Sequence, residues 1–308
     1  QRRVARPDGA RSRRSGRVCI AARRGRPRQE RAQGRIKMKK FRRRSARANL
    51  EHFRVLTARY FRQIFTNAGI LLPLLLQAPV MVLILFIVAD TTAFTSQNLL
   101  RANIILFMLV VMSALMGLLN SYREICKERD ILAREVFGGL DVSSYVLSKT
   151  AVLSAVGAVQ SALLFAGSLL FIDYNMPSPA VSYPLCFLTM ILTNISVTAL
   201  GLFISALLKK SESAILPVLI VIILQVVFSD CLISLDGAAG FIKYITPAAW
   251  GIAVFGNIFD LDTWPFQATQ HDLYGLHPVV CLAVLAAFAL LFLFLTTAKL
   301  KREFRQKD

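Results

Sequence analysis

Of the 308 residues, 55% are hydrophobic and 18% are charged, and the mean hydropathy is +0.54. A water-soluble domain carries about a quarter of its residues as charges, so this composition excludes one and indicates a polytopic membrane protein. The net charge of +19 is unevenly spread: residues 1–49 hold 20 Lys/Arg against Asp8 and Glu30, which leaves 17 basic and 16 acidic residues for the rest.

The first segment, 1–46, lacks apolar periodicity and is expected to be disordered on its own. Three readings compete for it. It attracts anionic headgroups as a juxtamembrane basic cluster, it binds nucleic acid, or the residues before Met38 are not native. With Phe41 as its sole aromatic and no fold, nucleic acid is the least supported. It has no apolar stretch or cleavage site of a secretory signal.

Residues 47–66 follow as an amphipathic elbow helix. At 100° per residue, Leu50, Phe53, Leu56, Tyr60, Phe61 and Ile64 fall on one side, with Arg54, Arg59 and Arg62 on the other. Such a helix is expected to lie in the membrane interface with its arginines at the headgroups.

Six apolar runs of spanning length lie within 67–300, at roughly 70–89, 102–120, 150–172, 184–207, 214–234 and 278–298. Pro73, Gln77 and Pro79 interrupt the first, which implies a kinked helix packed against protein on that face. The tail, the elbow, 121–149, Lys209–Lys210 and the end 299–308 together carry 35 of the 37 basic residues. The predicted fold is therefore an all-α membrane protein of six transmembrane helices, with both termini cytoplasmic. In the outer piece 235–277, Trp250, Val254 and Ile258 repeat at every fourth position, predicting short helices in or on the outer leaflet, with a packed loop as the alternative.

The stretch SYREICKERDILAREVFGGLDVSSYVLSK, 121–149, holds five positive and five negative charges. Tyr122–Phe137 reads as a helix, with Asp130 and Arg134 in favourable i, i+4 order and Ile125, Leu132 and Val136 inward. Gly138–Gly139 stops it, and Asp141 or Ser143 caps the next helix. A balanced, mixed-sign corner suits docking to another polar protein surface. Glu124, Glu128, Arg129, Arg134 and Glu135 are the candidate docking residues.

Two spans carry a face of mixed polar, Met and aromatic groups that suits adaptable binding of amphipathic molecules: Ser113, Met116 and Asn120 on the second, and Gln225, Phe228 and Leu232 on the fifth. Helix packing is the competing explanation for each residue. Cys19, Cys126, Cys186, Cys231 and Cys281 form no CxxC pair, and His52, His271 and His277 have no ligand partner at helical spacing, so no metal site is expected. Asp230, near the outer end of span five, is either hydrated or functional.

KERDILAREVFGGLDVSSYVLSK and ITPAAWGIAVFGNIF resemble the connecting-helix and last external-loop motifs of the type-2 ABC transporter permeases, closest to the G-subfamily half-transporters. Arg134–Glu135 match the family's basic residue followed by Glu, and Val142–Lys149 its entry to span three. Ile258 stands where the family often has Glu. The resemblance covers about 50–300. It implies a dimer of two such permeases, identical or not, exporting an apolar or amphipathic small molecule or lipid by alternating access. It would also make the faces on the second and fifth spans a translocation pathway. Motion would reach the coupling corner, 122–145, from ATP-hydrolysing domains. No GxxxxGK[ST] loop occurs, so ATP and Mg are expected on a partner ATPase, and no catalysis in this chain. The expected location is a bacterial cytoplasmic membrane. A membrane-embedded enzyme or a channel is the alternative. Removing residues 1–37 is expected to leave membrane insertion intact; carbonate extraction of the truncated chain tests this, and loss from the membrane fraction would count against it.

Overall fold

The computed structural model describes residues 46–176, 178–210, 212–229, 240–264 and 273–305. The described residues form helices joined by short turns: α1 (Ala46–Thr66), α2 (Ala68–Val88), α3 (Leu99–Ser121), α4 (Arg129–Phe137), α5 (Val142–Ser168), α6 (Pro179–Leu207), α7 (Ile215–Val227), α8 (Gly240–Lys243), α9 (Pro247–Ile258) and α10 (Pro278–Arg305).

Helix starts follow local chemistry. Asn67 accepts from the Gly69 amide at 3.0 Å to start α2, Asn98 accepts from Arg101 N at 3.3 Å for α3, and Asp141 accepts from Ser144 N at 3.0 Å for α5. Each side chain satisfies a donor the first turn leaves open. α4 stops where Gly139 takes φ 95°. The Leu140 amide then reaches back to the Glu135 carbonyl at 2.9 Å, the paired closure that a left-handed residue permits.

Among the described residues, five helices are long and apolar enough to span a bilayer: α2, α3, α5, α6 and α10. α10 runs for 28 residues, about 42 Å at 1.5 Å per residue. Of the expected fifth span only a part is described. α7 has 13 residues, about 20 Å, short of a hydrocarbon core of about 30 Å. The outer part of that run, 230–239, lies outside the described residues, as do Asp230, Leu232 and Cys231, the tail to residue 45, and His271.

Close packing of α3 on α6 depends on small residues. A Cβ on Gly117 would sit 2.5 Å from the Asn194 carbonyl oxygen, and one on Gly201 would sit 2.0 Å from Ser121 Oγ. Within this contact Asn194 donates to the Ser113 carbonyl at 2.8 Å, and Thr198 donates to the Gly117 carbonyl at 3.3 Å. Between apolar helices in lipid, such close approach and interhelical hydrogen bonding replace the hydrophobic drive.

Three expectations gain detail. α2 packs on protein along one narrow strip, burying Ala78 and Leu85, where Gln160 of α5 donates to the Leu74 carbonyl at 2.6 Å. α9 is enclosed by protein: Trp250, Val254 and Ile258 are all buried, and the helix packs against α3, α6 and α10. α1 turns Leu56, Tyr60 and Ile64 into a core with α5, leaving Leu50 and Phe61 exposed. Its Arg59, though exposed, also binds Glu135 of the same chain, as described below.

Gly117→Ala is expected to lower the thermal midpoint in detergent, with overpacking costing about 1–3 kcal/mol. Gly275→Ala, where an added Cβ meets nothing within 4 Å, is expected to leave it unchanged. Tryptophan-fluorescence melts of both variants distinguish them.

Candidate functional site

The sequence leaves α3 at Ser121 and re-enters the spanning region at α5, and the charged corner lies between. It is not one helix from Tyr122. A turn and a short 3-10 segment, Cys126–Glu128, precede α4. Ser205 of α6 forces the break, since its Oγ accepts from the amides of both Ile125 and Cys126 at 3.0 Å. Two main-chain donors that a continuous helix would use internally are thus tied to the neighbouring span.

Lys149, on the first turns of α5, lies at the centre of the corner. Its side chain is 3% exposed, 2.7 Å from a Glu128 oxygen and 3.2 Å from Glu124. The ammonium also sits 3.6 Å from the centroid of the Tyr60 ring. Tyr60 donates to Glu124, and Tyr145 donates to Glu128 at 3.1 Å. Lys127 closes the circuit on Glu124. Two buried carboxylates therefore meet two ammonium groups, with two phenols filling remaining lone pairs. A charge withdrawn from water at a span's end is tolerated only when so paired.

Burial is the largest influence on Glu124 and pushes its carboxyl up. The charges of Lys149 and Lys127, with hydrogen bonds from Lys127 and Tyr60, outweigh it and hold the group below its ordinary 4.5. Burial first, and the Glu124 charge second, push the Tyr60 phenol well above its ordinary value. Tyr60 therefore stays protonated as a donor.

Two further pairs extend the network. Arg129 binds Glu303 near the end of α10 and donates to the Leu208 carbonyl past the end of α6. Arg59 of α1 meets Glu135 of α4 at 2.7 Å, and this hydrogen bond raises the guanidinium further. The corner is thus tied to α1, α5, α6 and α10.

These contacts redistribute the candidate docking residues. Glu124, Glu128 and Arg129 point into the chain's own ion pairs, and Glu135 is engaged by Arg59. Arg134 remains outward. Among the described residues, Asp130 and Arg134 form no ion pair within 4.0 Å, and both are exposed. The outward face of α4 combines Asp130, Ile131, Arg134 and Phe137, with Ile131 at 56% and Phe137 at 66% exposure. Ile125 and Leu132 are buried on the inner side as expected.

The candidate pathway residues do not gather on one lining surface. Ser113 and Met116 are fully buried, and Ser113 bonds to the Met190 carbonyl and Ser161, both at 3.0 Å. Gln225 is buried and accepts from Ala248 N at 3.1 Å, at the start of α9. Phe228 is half-buried at the end of α7. Small and amide side chains here serve helix packing. Asn120 differs. It donates to Gln160 at 2.6 Å and lines an open groove of about 680 Å³ between α2 and α3. The residues missed by sequence reasoning are Lys149, Tyr60, Tyr145 and Ser205. An ionisable residue at the edge of the apolar run 150–172 was the available signal for Lys149.

Lys149→Met leaves Glu124 and Glu128 buried with one cation fewer, and is expected to cost about 3–5 kcal/mol. Adding Glu128→Gln should recover part of the thermal midpoint. Because Glu124 has a depressed value in the folded chain, its contribution is present above its ordinary 4.5 and is lost as pH falls through the depressed value. Melts recorded from pH 6 downward should therefore fall more steeply for the native chain than for Glu124→Gln.

Comparison with known proteins agrees with this architecture. Residues 51–259 match the family model described as "ABC-2 type transporter". An ABC transporter ATP-binding/permease protein of Mycobacterium tuberculosis is 32% identical over 165 residues, covering 51% of this chain and 19% of that relative. The chain thus spans a minor share of the relative's length. With the family match extending over α1 to α9 and five apolar helices of spanning length, the chain is an integral membrane permease and belongs to the ABC-2 type transporter family.

Proposed function

We propose that this chain is the permease unit of an ATP-driven exporter related to the G-subfamily half-transporters. It works as a dimer and moves an apolar or amphipathic molecule by alternating access. The observation that carries this reading is the division of α4. Its inner side is fixed by ion pairs and by Leu132, while its outer side presents Ile131, Phe137, Asp130 and Arg134. A mixed apolar and charged patch on a rigid element suits protein docking.

An ATP-hydrolysing domain, on a partner chain or elsewhere in a longer protein, docks on this face. The printed name of the mycobacterial relative, an ATP-binding/permease protein, supports such a pairing. Beside α4 a cleft of about 510 Å³, lined by Glu51, His52, Arg59, Glu135 and Gly138, extends the available surface. His52 Nδ1, buried there without a hydrogen-bond partner, can receive a donor from the docked domain.

Displacement of α4 then reaches α1 through Arg59–Glu135 and α5 through the Lys149 cluster. It reaches α6 and α10 through Arg129 and Glu303. The role of Glu124, Glu128 and Arg129 in this reading is transmission, with contact left to Arg134 and its neighbours. The basic bias of the segments around α4 supports a cytoplasmic corner and cytoplasmic termini.

Ile131→Asp and Phe137→Asp are each expected to weaken association with the ATP-hydrolysing partner about ten-fold or more, with the thermal midpoint unchanged because both side chains are exposed. Affinity purification of tagged permease with its co-expressed ATPase reads this out. Full recovery of the ATPase with both substitutions present would overturn the docking face.

A further inference from the structure

The groove between α2 and α3 combines charged, amide and apolar lining. Arg123 and Lys127, at the corner end, provide positive charge. Gln77 and Asn120 provide amides, held by Gln160 at 3.3 and 2.6 Å. Apolar residues line α2 on both sides of Gln77, with Ile70, Pro73 and Leu74 toward the corner and Val80 and Met81 beyond.

The groove extends along α2 from Ile70 to Met81, about 16 Å at the helical rise. That is half of a hydrocarbon core of about 30 Å, or one leaflet. Leu76 and Val80 in its wall are exposed on a membrane-spanning helix, so the groove opens sideways to lipid.

The charge at the mouth is available. Arg123 is exposed and rests 4.9 Å from the Tyr122 ring centroid. It takes part in none of the ion pairs within 4.0 Å among the described residues. Glu124, the acid in this wall, is already bound by Lys149, Lys127 and Tyr60.

We propose that this groove is a binding site for one anionic membrane lipid of the corner-side leaflet. Its phosphate lies at Arg123 and Lys127, its ester region at Gln77 and Asn120, and one acyl chain lies along Val80, Met81 and Leu119. Charge at one end, with amides and hydrocarbon along the wall, provides for the headgroup, ester and acyl parts of a glycerophospholipid. A second copy of the chain would not call for an unpaired guanidinium at the end of an apolar trench. The site stands on the groove alone and does not depend on the transport reading.

The test is native mass spectrometry of the full chain released from bilayers containing equal phosphatidylglycerol and phosphatidylcholine. One phosphatidylglycerol per chain is expected, favoured about five-fold, as one cationic group at a membrane surface provides. Arg123→Gln should remove that preference. Val80→Trp, which fills the trench, should reduce retention of both lipids while leaving the thermal midpoint unchanged. Equal retention of the two lipids by the native chain would overturn the site, as would phosphatidylglycerol retention unaffected by both substitutions. Efficient disulfide cross-linking of Val80→Cys to a second copy in membranes would assign the groove to a subunit contact and overturn it too.

Discussion

A single buried ammonium organises the corner end of this molecule. Lys149 lies buried within the first turns of a spanning helix, and an isolated charge there would cost several kcal/mol. The fold meets this by bringing Glu124 and Glu128 back over α5, which requires the chain to turn sharply after α3. The turn in turn leaves main-chain amides open, and Ser205 accepts them. Tyr60 is drawn in to complete Glu124 and to place its ring against the ammonium, which fixes α1 along α5. The position of α1, the shape of the corner and the register of α5 all follow from one cation.

Packing in the middle of the molecule follows a different rule. Away from the corner, α3, α5 and α6 hold together through Gly117, Gly157 and Gly201 with Asn194, Thr198 and Ser113 in the spaces they leave. In lipid there is no hydrophobic gain from joining two apolar helices, so contact distance and internal hydrogen bonds decide. Polar residues in these spans therefore serve first as interhelical bonds. Ser113, Met116 and Gln225 are accordingly enclosed, while Asn120, one turn nearer the corner, reaches a surface.

Spanning segments and helix stops were readable because they depend on local properties: apolar length, and the left-handed freedom of Gly139. Asp141 as a cap was readable for the same reason. The inward direction of Glu124, Glu128 and Arg129 was not, because a balanced charge count is the same for an internal network and for a docking surface. Choosing between them needs the partners Tyr60 and Glu303, which lie 64 and 174 positions away in the chain. The enclosure of α9 was not readable for a related reason. Its repeat at Trp250, Val254 and Ile258 marks one apolar face, yet Pro247–Phe255 is buried on all sides, which periodicity alone does not reveal.

The evenness of the corner's charge thus has an internal cause. Lys149 and Lys127 balance Glu124 and Glu128, Arg59 balances Glu135, and Arg129 balances Glu303. Once these are paired, the corner presents few charges outward: Asp130 and Arg134 on α4, and Arg123 toward the groove. A protein partner at α4 therefore meets a patch whose strength comes from Ile131 and Phe137, with charge setting orientation more than affinity. A lipid at the groove meets the Arg123 guanidinium beside an acid, Glu124, that Lys149, Lys127 and Tyr60 already bind. Internal neutrality leaves each remaining surface charge with one task, and the two tasks lie on different faces of the same corner.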